Sequence, residues 1–235
     1  VREMDGSLRA GILASEEFLS GISRERVGVE ITKIMRGNNV HLIASQMLSL
    51  GVLNRVFEEL QLSLPPSLSE EYLVNLALLL RGSELSGEML SARLRELLVL
   101  SKNDLLEISI MHECRDLNID PTIGYSRRFI AAVPDVRKKM VLDYLHKSGA
   151  DVEGFEKMVS NISRDSLIVD PLVNGEVLAR VTGLRPGPRL GRLKGWLHRR
   201  QIEEASKSEE EVLSFLSDID WEFSDYEKWE PLSWP

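Results

Sequence analysis

Leucine is the commonest residue of this 235-residue chain, and it returns at intervals of three and four rather than two. Such spacing lines apolar side chains along one stripe of a helix, whereas a half-buried strand needs strict alternation. The pattern predicts an all-α fold, with helices over 7–20, 24–36, 38–50, 52–61, 69–81, 86–100, 102–117, 134–148, 151–160, 174–182, 188–205 and 208–217. Only Leu167-Ile168-Val169 has the look of a strand. Ser67 with Glu70, Ser101 with Asp104, and Ser206 with Glu209 read as capping boxes, in which the hydroxyl accepts from early helix N–H groups. Gly37, Gly51, Gly149 and Gly183 stand where left-handed residues end helices. Pro65-Pro66 cannot lie inside a helix and separates a first helical layer from a second.

The length suits one or two domains. With 43% hydrophobic and 28% charged residues, a wholly disordered or collagen-like chain is excluded. The longest apolar stretch, Tyr72 to Leu80, contains Asn75 and falls far short of the roughly 20 residues a bilayer span requires. No membrane partner is expected. The chain opens on Val1 without a basic and then apolar leader, so the start reads as a cut and no secretory signal is expected. A lone cysteine, Cys114, rules out disulfides within one chain and cysteine-based zinc sites. His112 and Cys114 form only a His-x-Cys fragment, read as helix surface and a half-buried thiol, so no metal ligands are assigned. The expected setting is an intracellular, reducing compartment: cytoplasm, nucleus or organelle matrix.

Charge is unevenly spread. Asn174 to Ile202 carries seven Lys or Arg against Glu176 alone, a local net of +6, while Glu203 to Pro235 has a local net of −9 in a chain of net −8. An acidic protein thus carries one basic island. The island reads as helix, glycine-rich hairpin, helix: Asn174 caps the first helix, Gly183 ends it, Pro188 opens the second, and Gly191 lets the two approach closely. Leu190, Leu193 and Leu197 form its buried stripe. Free N–H groups at Gly187 and the helix start suit one backbone phosphate, and Arg185, Arg189, Arg192, Lys194, Arg199 and Arg200 extend a positive surface along a nucleic acid. A tight turn with a solvated basic face is the plain alternative. The tail from Asp218, with Trp221, Trp229 and Trp234 among acids, lacks helical periodicity; it reads as an extended or partly disordered arm whose tryptophans pack on the chain itself.

A second stretch, Gly21 to Gly37, places Ser23 as an N-cap and Val27, Ile31 and Ile34 on one face. Arg24, Glu25, Arg26 and Glu30 are placed to bridge to a neighbouring helix or to reach a ligand, the structural role being favoured.

ISRERVGVEITKIMRGN in this stretch resembles the neck motif of class II tRNA nucleotidyltransferases, the CCA-adding enzymes and related bacterial poly(A) polymerases. GLRPGPRLGRLKGWLHRRQIE is similar to an element of the same family's carboxy-terminal tail. Order and separation match as well, and the GVEI ending is closer to eukaryotic members. The resemblance implies an all-α neck, body and tail: 1–64 as the end of the neck and first body helices, 65–165 as the body, 166–205 as a tail with an RNA-binding hairpin, and 206–235 as an acidic, tryptophan-containing extension. Ser23, Glu25, Arg26 and Glu30 are then neck-motif residues, and Arg185, Gly187, Arg189, Arg192, Lys194, Arg199 and Arg200 contact RNA.

The catalytic elements of that family are not found: no glycine-glycine turn into a strand, no metal-binding Asp-x-Asp pair, no Glu-Asp-x-x-Arg helix. Asp218-Ile-Asp220 has the spacing but follows the tail without a nucleotide loop, and two-metal chemistry needs carboxylates around ions about 4 Å apart. No catalytic residue is assigned. The resemblance implies that the chain grips the acceptor and TΨC arms of tRNA at its elbow, while a separate catalytic head adds CCA to the 3′ end from CTP and ATP with Mg2+. A noncatalytic helical nucleic-acid module, or a scaffold whose acidic tail recruits a protein, are the alternatives.

Overall fold

The computed structural model describes residues 5–15, 21–65, 67–120 and 122–235. Their regular structure is helical, with no strand among the described residues. Contacts divide the chain into two units, Val1–Leu117 with Met140–Ala150, and Asn118–Lys139 with Asp151–Pro235. The acidic extension falls in the same unit as the basic hairpin.

The first unit holds α1 (Gly6–Ala14), α2 (Arg24–Met35), α3 (Val40–Ser49), α4 (Val52–Phe57), α5 (Tyr72–Leu79), α6 (Gly87–Leu97), α7 (Lys102–Glu113) and most of α9 (Asp135–Lys147). The apolar stretch noted in the sequence is α5, buried on every side, as expected for a helix with no polar face. Its one amide, Asn75, is fully bonded: it donates to the Met35 and Ser69 carbonyls at 3.0 Å each and accepts from the Ser69 N–H at 2.9 Å. α6 and α7 pack closely because Gly87 has no side chain; a Cβ there would overlap the Ser109 carbonyl.

Several local expectations shift. Ser101 caps α7 as predicted, its hydroxyl accepting from the Asp104 N–H at 3.1 Å. Ser67 does not cap α5, which begins at Tyr72; Ser69 instead accepts from the Glu71 N–H at 2.8 Å. Gly51, Gly149 and Gly183 have positive φ, whereas Gly37 does not, because Arg36 closes α2 in right-handed geometry. The break between α4 and α5 is non-helical through Pro65, and Pro66 lies outside the described residues, as do 16–20 of the first predicted helix. His112 and Cys114 are not surface groups. Both are buried, with His112 Nε2 3.0 Å from the Leu85 carbonyl, and burial pushes the Cys114 thiol up to about 12.

The second unit is built on α12 (Pro188–Glu204), with α8 (Ile123–Ala132), α10 (Glu153–Asn161), α11 (Gly175–Thr182) and α13 (Glu209–Ser214). α8 was not foreseen. Thr122 caps it, accepting from the Tyr125 N–H at 3.3 Å, and Phe129 and Ile130 are its buried face. The strand-like Leu167-Ile168-Val169 pairs with side chains rather than a strand: Gln201 donates to the Ile168 and Asp170 carbonyls and accepts from the Leu172 N–H, and His198 bonds the Val169 carbonyl. Those bonds satisfy backbone groups that a ladder would otherwise satisfy. The cap of α13 is Ser208 rather than Ser206, accepting from the Glu211 N–H at 3.2 Å.

The tail is folded, not an extended or disordered arm. Trp229 joins Val173, Leu178, Leu190, Leu193, Leu197 and Val212 in one core. Trp234 sits among Tyr125, Phe129 and Phe155, its ring 4.6 Å edge-on from Phe129. The tryptophans therefore pack on their own chain.

Candidate nucleic-acid interface

The hairpin forms as its punctuation dictates. Asn174 Oδ1 accepts from the Glu176 and Val177 N–H groups at 2.9 Å each, Gly183 ends α11 with φ 73°, and Pro188 is the first residue of α12. Gly187 precedes it in extended backbone, exposed, and a Cβ there would meet only the Arg185 carbonyl oxygen at an ordinary 4.0 Å, so its glycine character is not a steric requirement. No side chain caps α12, which leaves its positive end open. Gly191 does not mediate a close helix approach, since nothing lies within 4 Å of a Cβ there. The close approach is one turn further on, where a Cβ on Gly195 would lie 2.9 Å from Pro231 of the tail.

The structure sorts the seven candidate RNA-contact residues into two sets. Arg185 and Gly187 are exposed at the hairpin, and Arg192 and Lys194 are half-buried on α12. None of these three cations has an ion pair among the described residues, and neither does exposed Arg180 on α11. The other three are engaged by the tail and by the helix itself. Arg189 donates to the carbonyls of Trp221, Glu222 and Ser224 at 2.7, 3.0 and 2.9 Å, with the rings of Tyr226 and Trp229 5.3 and 5.4 Å from its guanidinium. Arg199 pairs with Glu203 at 2.9 Å and Glu230 at 2.5 Å. Arg200 reaches Glu204 at 3.3 Å and Asp218 at 3.4 Å, and lies over Phe215. Arg128 of α8 adds to the same network, facing Glu203 and Glu230 at 3.8 and 4.0 Å.

Asp218 and Asp220 are taken up locally, Asp218 by Arg200 and Asp220 by the Phe223 N–H at 3.1 Å.

In the first unit, Ser23 caps α2, accepting from the Arg26 N–H at 3.5 Å. Arg24 reaches the Glu96 carbonyl, and Glu30 pairs with Lys33 on its own helix at 2.7 Å. Glu25 and Arg26 stand at the rim of an open groove of about 640 Å³ floored by Val27, Ile31, Met47 and Val56. Val27, Ile31 and Ile34 share one face, as expected, and all three line the groove; the fully buried residues of α2 are Gly28, Ile31 and Met35. Gly28 was not singled out in the sequence; a Cβ there would stand 3.3 Å from the Val99 nitrogen.

Sequence reasoning did not identify Glu203, Glu230 and Asp218 as partners of the arginines. The available signal was the abrupt change from +6 to −9 at residue 203, which places opposite charges next to each other in the chain.

A comparison of the chain with curated proteins gives no match. Residues 3–64, which contain α1 to α4 and the Ile22–Ile31 motif, match the family described as "Probable RNA and SrmB-binding site of polymerase A", and that segment is therefore similar to an RNA-binding region of polymerase A-type nucleotidyltransferases.

Proposed function

We propose that this chain is the substrate-holding part of a CCA-adding tRNA nucleotidyltransferase. The observation that carries the reading is the similarity of residues 3–64 to an RNA-binding region, in a chain whose neck-like motif is followed by a basic helical hairpin. Arg185, Arg192 and Lys194, together with Arg180, are the cations left open for phosphates. Recognition is by shape and backbone charge: an A-form stem presents phosphates at fixed spacing, and no base code is required. A separate catalytic head, with magnesium, CTP and ATP, performs the transfer onto the tRNA 3′ end.

The test is tRNA lacking its 3′ end, titrated with the chain over a series of salt concentrations. Arg185→Ala with Arg192→Ala should weaken binding and reduce the salt slope by about two, since each lost phosphate contact removes roughly one unit. Unaltered affinity and slope would leave the hairpin a structural turn. Incubation of the chain with tRNA, CTP, ATP and magnesium should yield no nucleotide addition; sustained addition would place the chemistry within these residues.

A further inference from the structure

We propose that the acidic tail regulates the basic face of α12 by occupying Arg199 and Arg200 with carboxylates that RNA phosphates displace. The proposal rests on the RNA-binding reading above and deepens it.

Two kinds of contact hold the tail, and they differ in how readily they are exchanged. The anchors are apolar and buried: Trp229 in the core under α12, Trp234 in its aromatic box, Pro231 against Gly195. Between and beside them lie the ionic contacts, Glu230 with Arg199 and Asp218 with Arg200, whose carboxylates are 68% and 49% exposed. Exposed ion pairs contribute little to stability, so their carboxylates can swing into solvent while the anchors stay in place. A guanidinium that gives up a carboxylate keeps its geometry for a phosphate, the other oxyanion that its planar fork fits.

Glu203, 14% exposed and held by Arg199 and Arg128, remains beside both arginines, and Glu204 of the same helix remains 3.3 Å from Arg200; the two limit how much charge is released. Arg189 belongs to the anchored set. Its partners are backbone carbonyls and ring faces, which no loss of side-chain charge removes. The tail thus withholds two of the six basic candidates through exchangeable carboxylates and a third, Arg189, through backbone carbonyls. A polyanion gains Arg199 and Arg200 only when it already sits on the open cations and presents phosphates within reach, which disfavours short or poorly matched RNA.

The experiment uses the full chain with Asp218→Asn and Glu230→Gln combined. The control combines Glu222→Gln and Glu227→Gln, which remove the same charge from tail carboxylates that have no partner among the described residues. Tryptophan fluorescence and melting should be the same for both variants and the parent. Binding to tRNA lacking its 3′ end at 0.1 M salt should tighten about five- to thirty-fold in the first variant, with the salt slope steeper by up to about two. The control should gain much less. Adding Arg199→Ala and Arg200→Ala should abolish the difference. Equal gains in the two variants, or a gain that survives loss of both arginines, would overturn the proposal while leaving RNA binding through Arg185 and Arg192 intact. No binding by any of the proteins would overturn both readings.

Discussion

Gly195 and Pro231 are in direct contact, with only 2.9 Å between Pro231 and the place a Cβ on Gly195 would occupy. The proline ring is rigid and cannot yield as a flexible side chain would. Gly195→Val should therefore lift the tail from α12 and lower stability by about 1–3 kcal/mol. Gly191→Ala, four residues earlier in the same helix and facing open space, should raise stability by about 0.5–1 kcal/mol through helix propensity. Chemical denaturation of the two variants followed by tryptophan fluorescence checks the contrast; a similar loss in both would mean that the tail does not cross at Gly195.

Arg189→Ala should destabilise the second unit by about 2–3 kcal/mol, because it strips a donor from three carbonyls and a cation from two aromatic faces. Arg189→Lys should recover only part of this, since an ammonium lacks the planar fork. The reading is by urea midpoint. An unaltered midpoint in Arg189→Ala would mean that the residue is free for another partner.

Burial holds the His112 imidazole below its ordinary value, with nearby Arg115 acting in the same direction and the Leu85 carbonyl opposing them. The unfolded chain therefore takes up this proton at a higher pH than the folded chain does. Stability from this group is full above the ordinary histidine value of about 6.5 and is lost as the pH falls below it. Denaturation at pH 7.5 and 5.0 should show a smaller drop in His112→Gln than in the parent. An equal drop would assign the acid sensitivity to other groups.

Cys114, buried and with its thiol raised to about 12, should resist alkylation at pH 8 in the folded protein and react only in denaturant. Mass spectrometry after a short iodoacetamide pulse reads the outcome directly. Rapid labelling without denaturant would mean that α7 opens locally.

Helices whose ends carry their own chemistry were legible in the sequence. Ser23 and Asn174 mark α2 and α11, and Pro188 with the Leu190, Leu193 and Leu197 stripe marks α12. α8 escaped because it has no leucine and its buried face is short, so the periodic signal never accumulates. The tail escaped for a different reason. Trp229 and Trp234 are spaced by no period, and their places are set by surfaces on α12, α8 and α10 that only the folded unit provides. The basic island was legible as charge but not as a site. Whether an arginine is open depends on where Glu230, Asp218 and the Trp221 carbonyl come to lie, and a backbone carbonyl leaves no mark in a sequence.

Asn75 bears on a problem particular to α5. A helix apolar on every side gains about as much from burial whichever way it is turned, so greasiness alone leaves its azimuth undetermined. One amide with all three of its bonds made breaks that degeneracy, since turning α5 by even one residue position would carry Asn75 away from Met35 and Ser69 into hydrocarbon. The least hydrophobic residue of the central helix is thereby the one that gives the surrounding bundle a single rotational setting.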